Sequence, residues 1–236
     1  RIAWADGGHR RAVVWACAQK VSERTSDLVN DPSESAWEAL VRPFERELVC
    51  DLIPRRIDDP RFTYRETDVQ GASHPTVAAA LAYLAGARPD DVVWDPFVGS
   101  GTELIERAKL GPFRELVGTD VSETAIESAG KNAGVAGVAL RLERADATQF
   151  EGVRPTTILT NPPLGKRVLL GENREVVRRF VVHAATLLPK GGQLVWVSPD
   201  PELLGRQARA VGLSREIEQP FDMGGFSAVM ERWRKV

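Results

Sequence analysis

Acidic residues end three successive predicted strands of this 236-residue sequence. The strands are predicted over 92–95, 116–120 and 140–146, and their last residues are Asp95, Asp120 and Asp146. The carboxyl ends of parallel strands meet at one edge of a sheet, where such folds bind ligands. A carboxylate after the second strand is placed to accept hydrogen bonds from ribose hydroxyls. We therefore expect the three side chains along the rim of one cleft, with a ribose-containing ligand beside Asp120.

A glycine-rich loop follows the first of these strands, with the sequence Asp-Pro-Phe-Val-Gly-Ser-Gly-Thr over residues 95–102. Gly99 and Gly101 allow the backbone to come close to a ligand, because glycine has no Cβ. A dinucleotide fingerprint requires a third glycine three residues after Gly101, and the residue there is Leu104. The loop therefore predicts a cofactor site and disfavours NAD as the cofactor.

The fourth predicted strand ends in Asn161-Pro162-Pro163-Leu164. Two prolines fix two φ angles and bias the preceding residue towards an extended conformation, which makes the loop stiff. Such a loop can present the Asn161 amide oxygen and the Pro162 carbonyl as two acceptors for an exocyclic NH₂ group. That amine is a poor nucleophile, so placing it in line with an activated methyl group is chiefly a positioning task. Taken in isolation, the tetrapeptide is also compatible with an ordinary turn.

From Ser73 onwards, strand and helix patterns alternate, which predicts a parallel sheet with helices on both faces. The runs at 214–221 and 226–234 are both strand-like and are joined by only four residues, so they predict an antiparallel hairpin. We therefore expect a doubly wound, Rossmann-like α/β fold whose mostly parallel, seven-stranded sheet ends in a hairpin. This layout is typical of methyltransferases, in which the sulfonium cofactor S-adenosylmethionine supplies the reactivity.

The first 60 residues are less regular and predict a small, partial α+β segment. A helix is expected over 11–24, with two strands over 37–41 and 47–53 and Pro43 between them. The run 53–60 has the composition of a linker or turn. The sequence therefore predicts a partial module over residues 1–60 and a catalytic domain over residues 61–236.

Composition places the chain among ordinary globular proteins, with 43% hydrophobic and 27% charged residues. The sequence contains no run of eighteen apolar residues, so no membrane-spanning helix is expected. Basic and acidic residues number 11 and 13 up to Gln70 and 20 and 20 after it, so neither part is a basic module. A nucleic-acid partner must then be held by a local patch or by sequence outside this chain.

Two cysteines, Cys17 and Cys50, are too few for a disulfide scaffold and lack the spacing of metal ligands. No metal site is expected from them. Free cysteines are usually small buried hydrophobic residues, and we expect both to be buried. Their free state fits a reducing cytoplasm.

The two motifs together resemble a known family. Asp-Pro-Phe-x-Gly-Ser-Gly-Thr at 95–102 and Asn-Pro-Pro-x-Gly-Lys-Arg at 161–167 are similar to the THUMP-associated RNA guanine-N2 methyltransferases, which modify tRNA or rRNA. The residues at 61–65 and 72–75, before the first helix of the domain, are also similar to that family. Before Arg61, the sequence resembles the end of a THUMP-type RNA-binding module.

For the cofactor, the resemblance implies a site built from the strand ends and the glycine-rich loop. It implies that Asp95, Gly99 and Gly101 line the methionine part of S-adenosylmethionine. By the same resemblance, Asp120 binds the ribose and Asp146 lies near the adenine amino group. Further candidates for cofactor contact are the motif residues His74, Phe97, Thr102, Val121, Ala147 and Asn161.

For the substrate, the resemblance implies that the Asn-Pro-Pro-Leu loop, residues 161–164, faces the target amine. The family has an aromatic residue after the two prolines, which stacks on the flipped base, whereas this sequence has Leu164. Leucine packs on a base without the π-face that makes stacking strong. Three outcomes are open: Phe97 or Tyr64 covers the base, the substrate differs, or activity is lost.

Basic residues follow the same loop and are candidates for contacts with RNA phosphates: Lys166, Arg167 and Arg178. The alternative for these residues is a solvated helix face. The favoured function is formation of N2-methylguanosine in tRNA or rRNA. Two alternatives remain: N6-adenine methylation of DNA or RNA, and a catalytically silent relative that binds cofactor or RNA.

Overall fold

The computed structural model describes residues 1–8, 10–56, 60–163, 172–223 and 227–236, with only the backbone at 172 and 173. Within these ranges, the chain divides into two compact units, Arg1–Pro60 and Arg61–Val236. None of the helices described is both long and apolar enough to cross a membrane.

The first unit contains one helix and one small sheet. The helix α1 spans Arg11–Ser22, and the strands are β1 (Ile2–Trp4), β2 (Trp37–Phe44) and β3 (Glu47–Pro54). β2 lies in the middle, parallel to β1 and antiparallel to β3. Pro43 was expected between two strands but lies inside β2 and faces Leu48 of β3. Because β1 reaches only as far as Val41, Pro43 interrupts no ladder on that side.

The prediction that both cysteines are buried is wrong, because Cys17 and Cys50 are exposed. The reason is the small size of the unit that carries them. Among the described residues 1–8, 10–56 and 60, no side chain is buried. A three-stranded sheet with one helix has too little volume to enclose a core.

The second unit alternates strands and helices, as expected from the sequence. Its helices, after a short 3₁₀ turn at Pro60–Phe62, are α2 (Pro75–Ala85), α3 (Thr102–Lys109), α4 (Glu123–Ala136), α5 (Glu172–Leu187) and α6 (Pro201–Ala210). Its strands are β4 (Val92–Asp95), β5 (Glu115–Asp120), β6 (Arg141–Arg144), β7 (Thr157–Thr160), β8 (Gln193–Ser198), β9 (Leu213–Asp222) and β10 (Ser227–Lys235).

The seven strands of this unit form one sheet in the order β6-β5-β4-β7-β8-β10-β9. β4 through β8 pair in parallel, whereas β10 is antiparallel to both β8 and β9. The expected seven-stranded, mostly parallel sheet with a terminal antiparallel hairpin is therefore confirmed. The strand order reverses at β4, whose two neighbours are β5 and β7, and ligands bind at such a switch point.

Helices cover both faces of the sheet because successive strand residues point to opposite sides. On one face, Val93 and Leu159 pack with residues of α2, α3 and α4. On the other face, Trp94, Ile158 and Trp196 pack with residues of α5 and α6. Trp94 and Trp196 are fully buried in this core. The core fixes the strand ends, and these ends carry the candidate site.

Candidate active site

Three candidate residues lie at neighbouring strand ends of the sheet. Asp95 is the last residue of β4, Asp120 is the last residue of β5, and Asn161 directly follows β7. Since β4 pairs with both β5 and β7, these side chains share the carboxyl edge of the sheet at its switch point. The fold brings the two motifs together although one ends at residue 102 and the other begins at residue 161.

The glycine-rich loop connects β4 to α3 and has two left-handed backbone positions. Gly99 has φ = 50° and Gly101 has φ = 81°, a region that other residues occupy at a cost. A Cβ on Gly101 would lie 3.3 Å from the Cα of Ala129 in α4, so a larger residue would push the loop away from that helix. Asn132 of α4 also holds the loop, because its Nδ2 donates to the Ser100 carbonyl at 2.9 Å.

Asp95 is a buried carboxyl group, and only one of its two oxygens has a hydrogen-bond partner among the described residues. Its Oδ1 accepts hydrogen bonds from the Thr160 hydroxyl at 2.6 Å and from the Phe97 main-chain N–H at 3.1 Å. Its Oδ2 is buried and has no hydrogen-bond partner among the described residues. Burial raises the pKa of Asp95 well above its ordinary value, and the nearby Glu103 carboxyl group adds to this. A buried oxygen without a partner is suited to a cationic or hydrogen-bonding ligand.

Asp120 joins the glycine-rich loop to the end of β5. Its Oδ2 accepts from the Gly99 N–H at 3.2 Å, and its Oδ1 accepts from the Ser122 N–H at 2.9 Å. Each carboxylate oxygen has a second lone pair, so the group can also accept hydrogen bonds from the hydroxyls of a ligand. Asp120 therefore has the chemistry expected of a ribose-binding residue and also shapes the loop.

Asp146 lies beyond its strand, not at its end. β6 stops at Arg144, because the chain then turns and the Thr148 N–H donates to Asp146 Oδ1 at 2.8 Å. This hydrogen bond lowers the pKa of Asp146, which is exposed. The Ala145 N–H still bonds to the Asp120 carbonyl at 3.0 Å, so Asp146 and the buried Ala147 remain next to the end of β5.

The two polar atoms of the Asn161 side-chain amide differ in their hydrogen bonding within the described residues. The Nδ2 donates to the Ser73 hydroxyl at 2.7 Å. The Oδ1 is buried and has no hydrogen-bond partner among the described residues. Pro162, the next residue, is buried, whereas Pro163 is exposed. Asn161 therefore offers a fixed acceptor at the edge of the sheet, and its contact with a substrate amine stays a prediction.

Three further candidates for cofactor contact have different environments. His74 is the N-cap of α2, and its Nδ1 accepts from the Thr76 N–H at 3.2 Å. Thr102, the first residue of α3, is buried, with its hydroxyl 2.9 Å from that of Ser100. Val121 follows β5 and is 64% exposed, so its side chain is free to pack on a flat ligand. Direct contact with a ligand stays a prediction for all three.

Of the two aromatic residues considered for covering a base, Tyr64 is in the wrong environment. It is 3% exposed, packs with Ile105 and Ala133, and donates its hydroxyl to Glu106 Oε1 at 2.8 Å. Phe97 is only partly buried, and its ring lies edge-on to Phe180 at 5.2 Å between centroids. A base-covering role for Tyr64 is therefore excluded by its burial, and Phe97 remains as a candidate.

Several predicted substrate contacts fall on residues 164–171, which lie outside the described residues: Leu164, Lys166 and Arg167. Arg178, on α5, is described, and its Nη1 lies 3.1 Å from Glu175 Oε2. Arg174, one turn earlier, pairs with Asp200 at 3.0 Å. Because these arginines have acidic neighbours, α5 offers less free positive charge than its sequence indicates.

Two residues of the site were missed by sequence reasoning. Ser73 accepts the hydrogen bond from Asn161 and donates its own to Glu103 of α3. Both residues are buried, at 5% and 4% exposure. Ser73 and Asn161 are separated by 88 positions, so no local pattern could have paired them. The sequence shows only that a glutamate, Glu103, directly follows the glycine-rich loop.

A family model described as UPF0020, RMKL-like methyltransferase domain, matches residues 63–225. The chain belongs to this family. The match covers both motifs and the six strands β4 to β9 of the second unit, and it ends before β10. The family resemblance inferred from the sequence is confirmed, because named relatives are guanine-N2 methyltransferases.

Similar proteins of this methyltransferase family act on RNA. A tRNA (guanine(6)-N2)-methyltransferase of Thermus thermophilus is 37% identical over 66% of this chain and 48% of its own length. The U6 snRNA (guanine-N(2))-methyltransferase THUMPD2 of Bos taurus is 33% identical over 51% of this chain and 24% of its own. The chain thus spans less than half the length of these relatives.

Among solved structures, the crystal structure of TrmN from Thermus thermophilus superimposes with a TM-score of 0.73 and 26% identity. The alignment covers 100% of this chain and 72% of the other. The ribosomal protein L11 methylase of Lactobacillus delbrueckii, at 19% identity and a TM-score of 0.57, shares the fold of the methyltransferase domain.

Within this methyltransferase domain, Asp120→Ala is expected to lower the affinity for S-adenosylhomocysteine by roughly tenfold or more. The change removes a charged acceptor, and hydrogen bonds to charged groups contribute about 1.5–3 kcal/mol. Titration calorimetry measures this affinity, and the melting temperature reports whether the loop contact with Gly99 matters for folding. Unchanged binding by the variant would remove Asp120 from the cofactor site.

Proposed function

We propose that this chain carries the catalytic part of an RNA methyltransferase, which transfers a methyl group from S-adenosylmethionine to N2 of a guanine. The observation that carries the proposal is the Asn161 amide, whose buried Oδ1 is an acceptor without a partner among the described residues. It stands in an Asn-Pro-Pro motif next to the switch point of a methyltransferase sheet.

The residues at the switch point fit S-adenosylmethionine. Asp95 Oδ2 is a buried oxygen without a partner in the described part of the chain, which suits the ammonium group of the methionine part. Gly99 and Gly101 have no Cβ, so the loop backbone at these two positions can come close to the cofactor. Asp120 has lone pairs for the ribose hydroxyls, and the exposed Val121 can pack on the adenine. The cofactor supplies the activated methyl group.

The protein's part in the reaction is to orient the amine. The lone pair of an exocyclic guanine amine is delocalised into the ring, which makes the nitrogen a poor nucleophile. When both N–H bonds point at acceptors outside the ring plane, the lone pair is less delocalised and the nitrogen becomes a better nucleophile. Asn161 Oδ1 and the Pro162 carbonyl are two such acceptors on a stiff loop. The proton released from the amine after methyl transfer is strongly acidic and can pass to water, so the site requires no strong general base.

The relatives support RNA as the substrate class, since their names specify tRNA and U6 snRNA. We further propose that Arg1–Pro60 is part of an RNA-binding module of the THUMP type, which fits the finding that no side chain among its described residues is buried. Ribosomal RNA as substrate and a cytoplasmic location stay predictions.

Incubation of the purified chain with S-adenosylmethionine and total RNA is expected to yield N2-methylguanosine, which nucleoside mass spectrometry identifies. RNA from cells that lack the corresponding gene gives unmethylated substrate, and tRNA, small RNA and rRNA are tested as separate fractions. N6-methyladenosine as the product would overturn the guanine assignment. Cofactor binding without any methylated nucleoside would indicate a silent relative.

A further inference from the structure

A chain of hydrogen bonds runs from Asn161 into the interior of the second unit. Asn161 Nδ2 donates to Ser73 Oγ at 2.7 Å, and Ser73 Oγ donates to Glu103 Oε1. The backbone of Ser73 is held as well, because Arg65 Nη1 donates to its carbonyl at 2.9 Å. The three linked side chains come from the segment before α2, from α3 and from the end of β7.

The direction of this chain determines which end of the Asn161 amide faces outwards. When Glu103 is ionised, its carboxylate only accepts hydrogen bonds, so Ser73 gives its single proton to Glu103. The Ser73 oxygen can then only accept from its other neighbour, which forces the NH₂ of Asn161 towards it. The amide oxygen is left on the opposite side, where Oδ1 has no partner in the described part of the chain.

The protonation state of Glu103 sets the direction of these hydrogen bonds, and the surrounding groups influence that state. Burial raises the pKa of Glu103, whereas the hydrogen bond from Ser73 and the positive charge of Arg65 oppose the rise. Glu106 on the same helix and Asp95 on β4 are its acidic neighbours. Were Glu103 protonated, it could donate to Ser73, and Ser73 could donate to Asn161. The amide would then turn its NH₂ outwards.

We propose that Ser73 and Glu103 are positioning residues for methyl transfer, which hold the Asn161 amide with its oxygen towards the substrate amine. Neither residue is required to touch the substrate. An amide turned the other way would present two N–H donors to the N–H donors of the amine, and the pair would repel. The effect on catalysis rests on the proposed function, whereas the orientation of the amide does not.

Ser73→Ala is expected to lower the single-turnover rate of methyl transfer roughly tenfold, since one neutral hydrogen bond to the amide is lost. The affinity for S-adenosylhomocysteine should stay within about twofold. Glu103→Gln keeps an acceptor oxygen and should retain more activity than Glu103→Leu. The matched control is Ser128→Ala. Ser128 lies on α4, is 4% exposed and shares a hydrogen bond with the Thr67 hydroxyl. The single-turnover rate of this variant should equal that of the wild type.

A double-mutant cycle tests whether Ser73 acts through Asn161. In the Asn161→Ala background, Ser73→Ala should have no further effect on the single-turnover rate. A tenfold loss in both backgrounds would mean that Ser73 acts independently, and the proposal would be wrong. Equal rates for Ser73→Ala and wild type would overturn it as well.

Nuclear magnetic resonance of the side-chain amides tests the orientation without any turnover. The ¹⁵N-labelled NH₂ pair of Asn161 is the pair that disappears in Asn161→Ala. Ser73→Ala should shift this pair and speed its exchange with water, whereas Ser128→Ala should not. If the chain methylates no RNA but this shift is seen, the proposed function fails and the orientation stands. If the NH₂ signals of Asn161 are the same in Ser73→Ala and in the wild type, the proposal is wrong even if the enzyme is active.

Discussion

Asn161→Ala is expected to slow methyl transfer by ~10²-fold or more, while the affinity for S-adenosylhomocysteine stays within a few-fold. A small misplacement of a reacting group can cost ~10²-fold in rate, and the variant removes the acceptor that fixes the amine. The fold should tolerate the change, since Ser73 keeps Glu103 as a partner. The variant also removes a buried oxygen that has no partner within the described ranges.

The measurement combines single-turnover kinetics on the RNA that the wild-type chain methylates with calorimetry of cofactor binding. Asn161→Asp is the companion variant, because it retains an oxygen at the position of Oδ1. Loss of cofactor binding with an intact melting transition would show that the Asn-Pro-Pro loop belongs to the cofactor site. Full activity of Asn161→Ala would remove the loop from the reaction altogether.

Asp95→Asn is expected to weaken the binding of S-adenosylhomocysteine by about 30-fold or more without lowering the stability of the fold. Removing one partner of a buried charge pair costs about 2–5 kcal/mol. In the free protein, however, the carboxyl group is buried without a partner for Oδ2 among the described residues. Asparagine keeps an oxygen for the Thr160 hydroxyl and the Phe97 N–H and is neutral.

The pH dependence of stability follows from the direction of the shift. The pKa of Asp95 is raised in the folded protein above the ordinary value of 3.8. The folded state therefore binds its proton more tightly than the unfolded state, and the free energy of unfolding falls as the pH rises above 3.8. This loss continues up to the raised pKa. Asp95→Asn lacks this loss, so its melting temperature at pH 7 to 8 should equal or exceed that of the wild type.

Cofactor affinity should change with pH in the opposite sense. The ammonium group of S-adenosylhomocysteine favours the ionised carboxylate, so wild-type affinity should rise with pH through the pKa of Asp95. The affinity of Asp95→Asn should not follow this rise. Calorimetry at several pH values measures both curves, and parallel curves would show that Asp95 does not meet the ammonium group.

The matched control is Asp91→Asn, a change at the other end of β4. Asp91 is 2% exposed and forms a buried ion pair with Arg107 at 2.8 Å. Leaving the buried Arg107 charge without this carboxylate is expected to destabilise the protein by about 3–5 kcal/mol. Below its lowered melting temperature, this variant should bind the cofactor normally. Asp95→Asn should therefore weaken cofactor binding and keep the stability of the fold, whereas Asp91→Asn should lower the stability and keep cofactor binding.

Much of the fold was predictable from the sequence, because its signals are local. The buried strand Val92–Asp95, the N-cap Ser122 and the four-residue connection in the hairpin each specify an element without reference to the rest of the chain. Element ends were less certain. β6 stops at Arg144, short of the expected Asp146, because the Asp146 carboxylate closes a turn that the strand pattern does not reveal.

The first unit was the least predictable part. Cysteine burial was inferred from what the residue type usually does, but burial depends on how much structure surrounds a residue. Around Cys17 and Cys50 there is a three-stranded sheet and one helix, and both thiols are exposed. The three-residue strand β1 was missed, because a run so short has no detectable period.

The sequence by itself determined the chemistry of the site: the glycine-rich loop, the acidic strand ends and the acceptor at Asn161. Only the tertiary structure decided how these groups are supported. It buried Tyr64 away from any base, left one oxygen each of Asp95 and Asn161 free within the described residues, and set Ser73 and Glu103 behind Asn161. Motifs are read along the chain, whereas a hydrogen bond between residues 88 positions apart exists only once the sheet has brought them together.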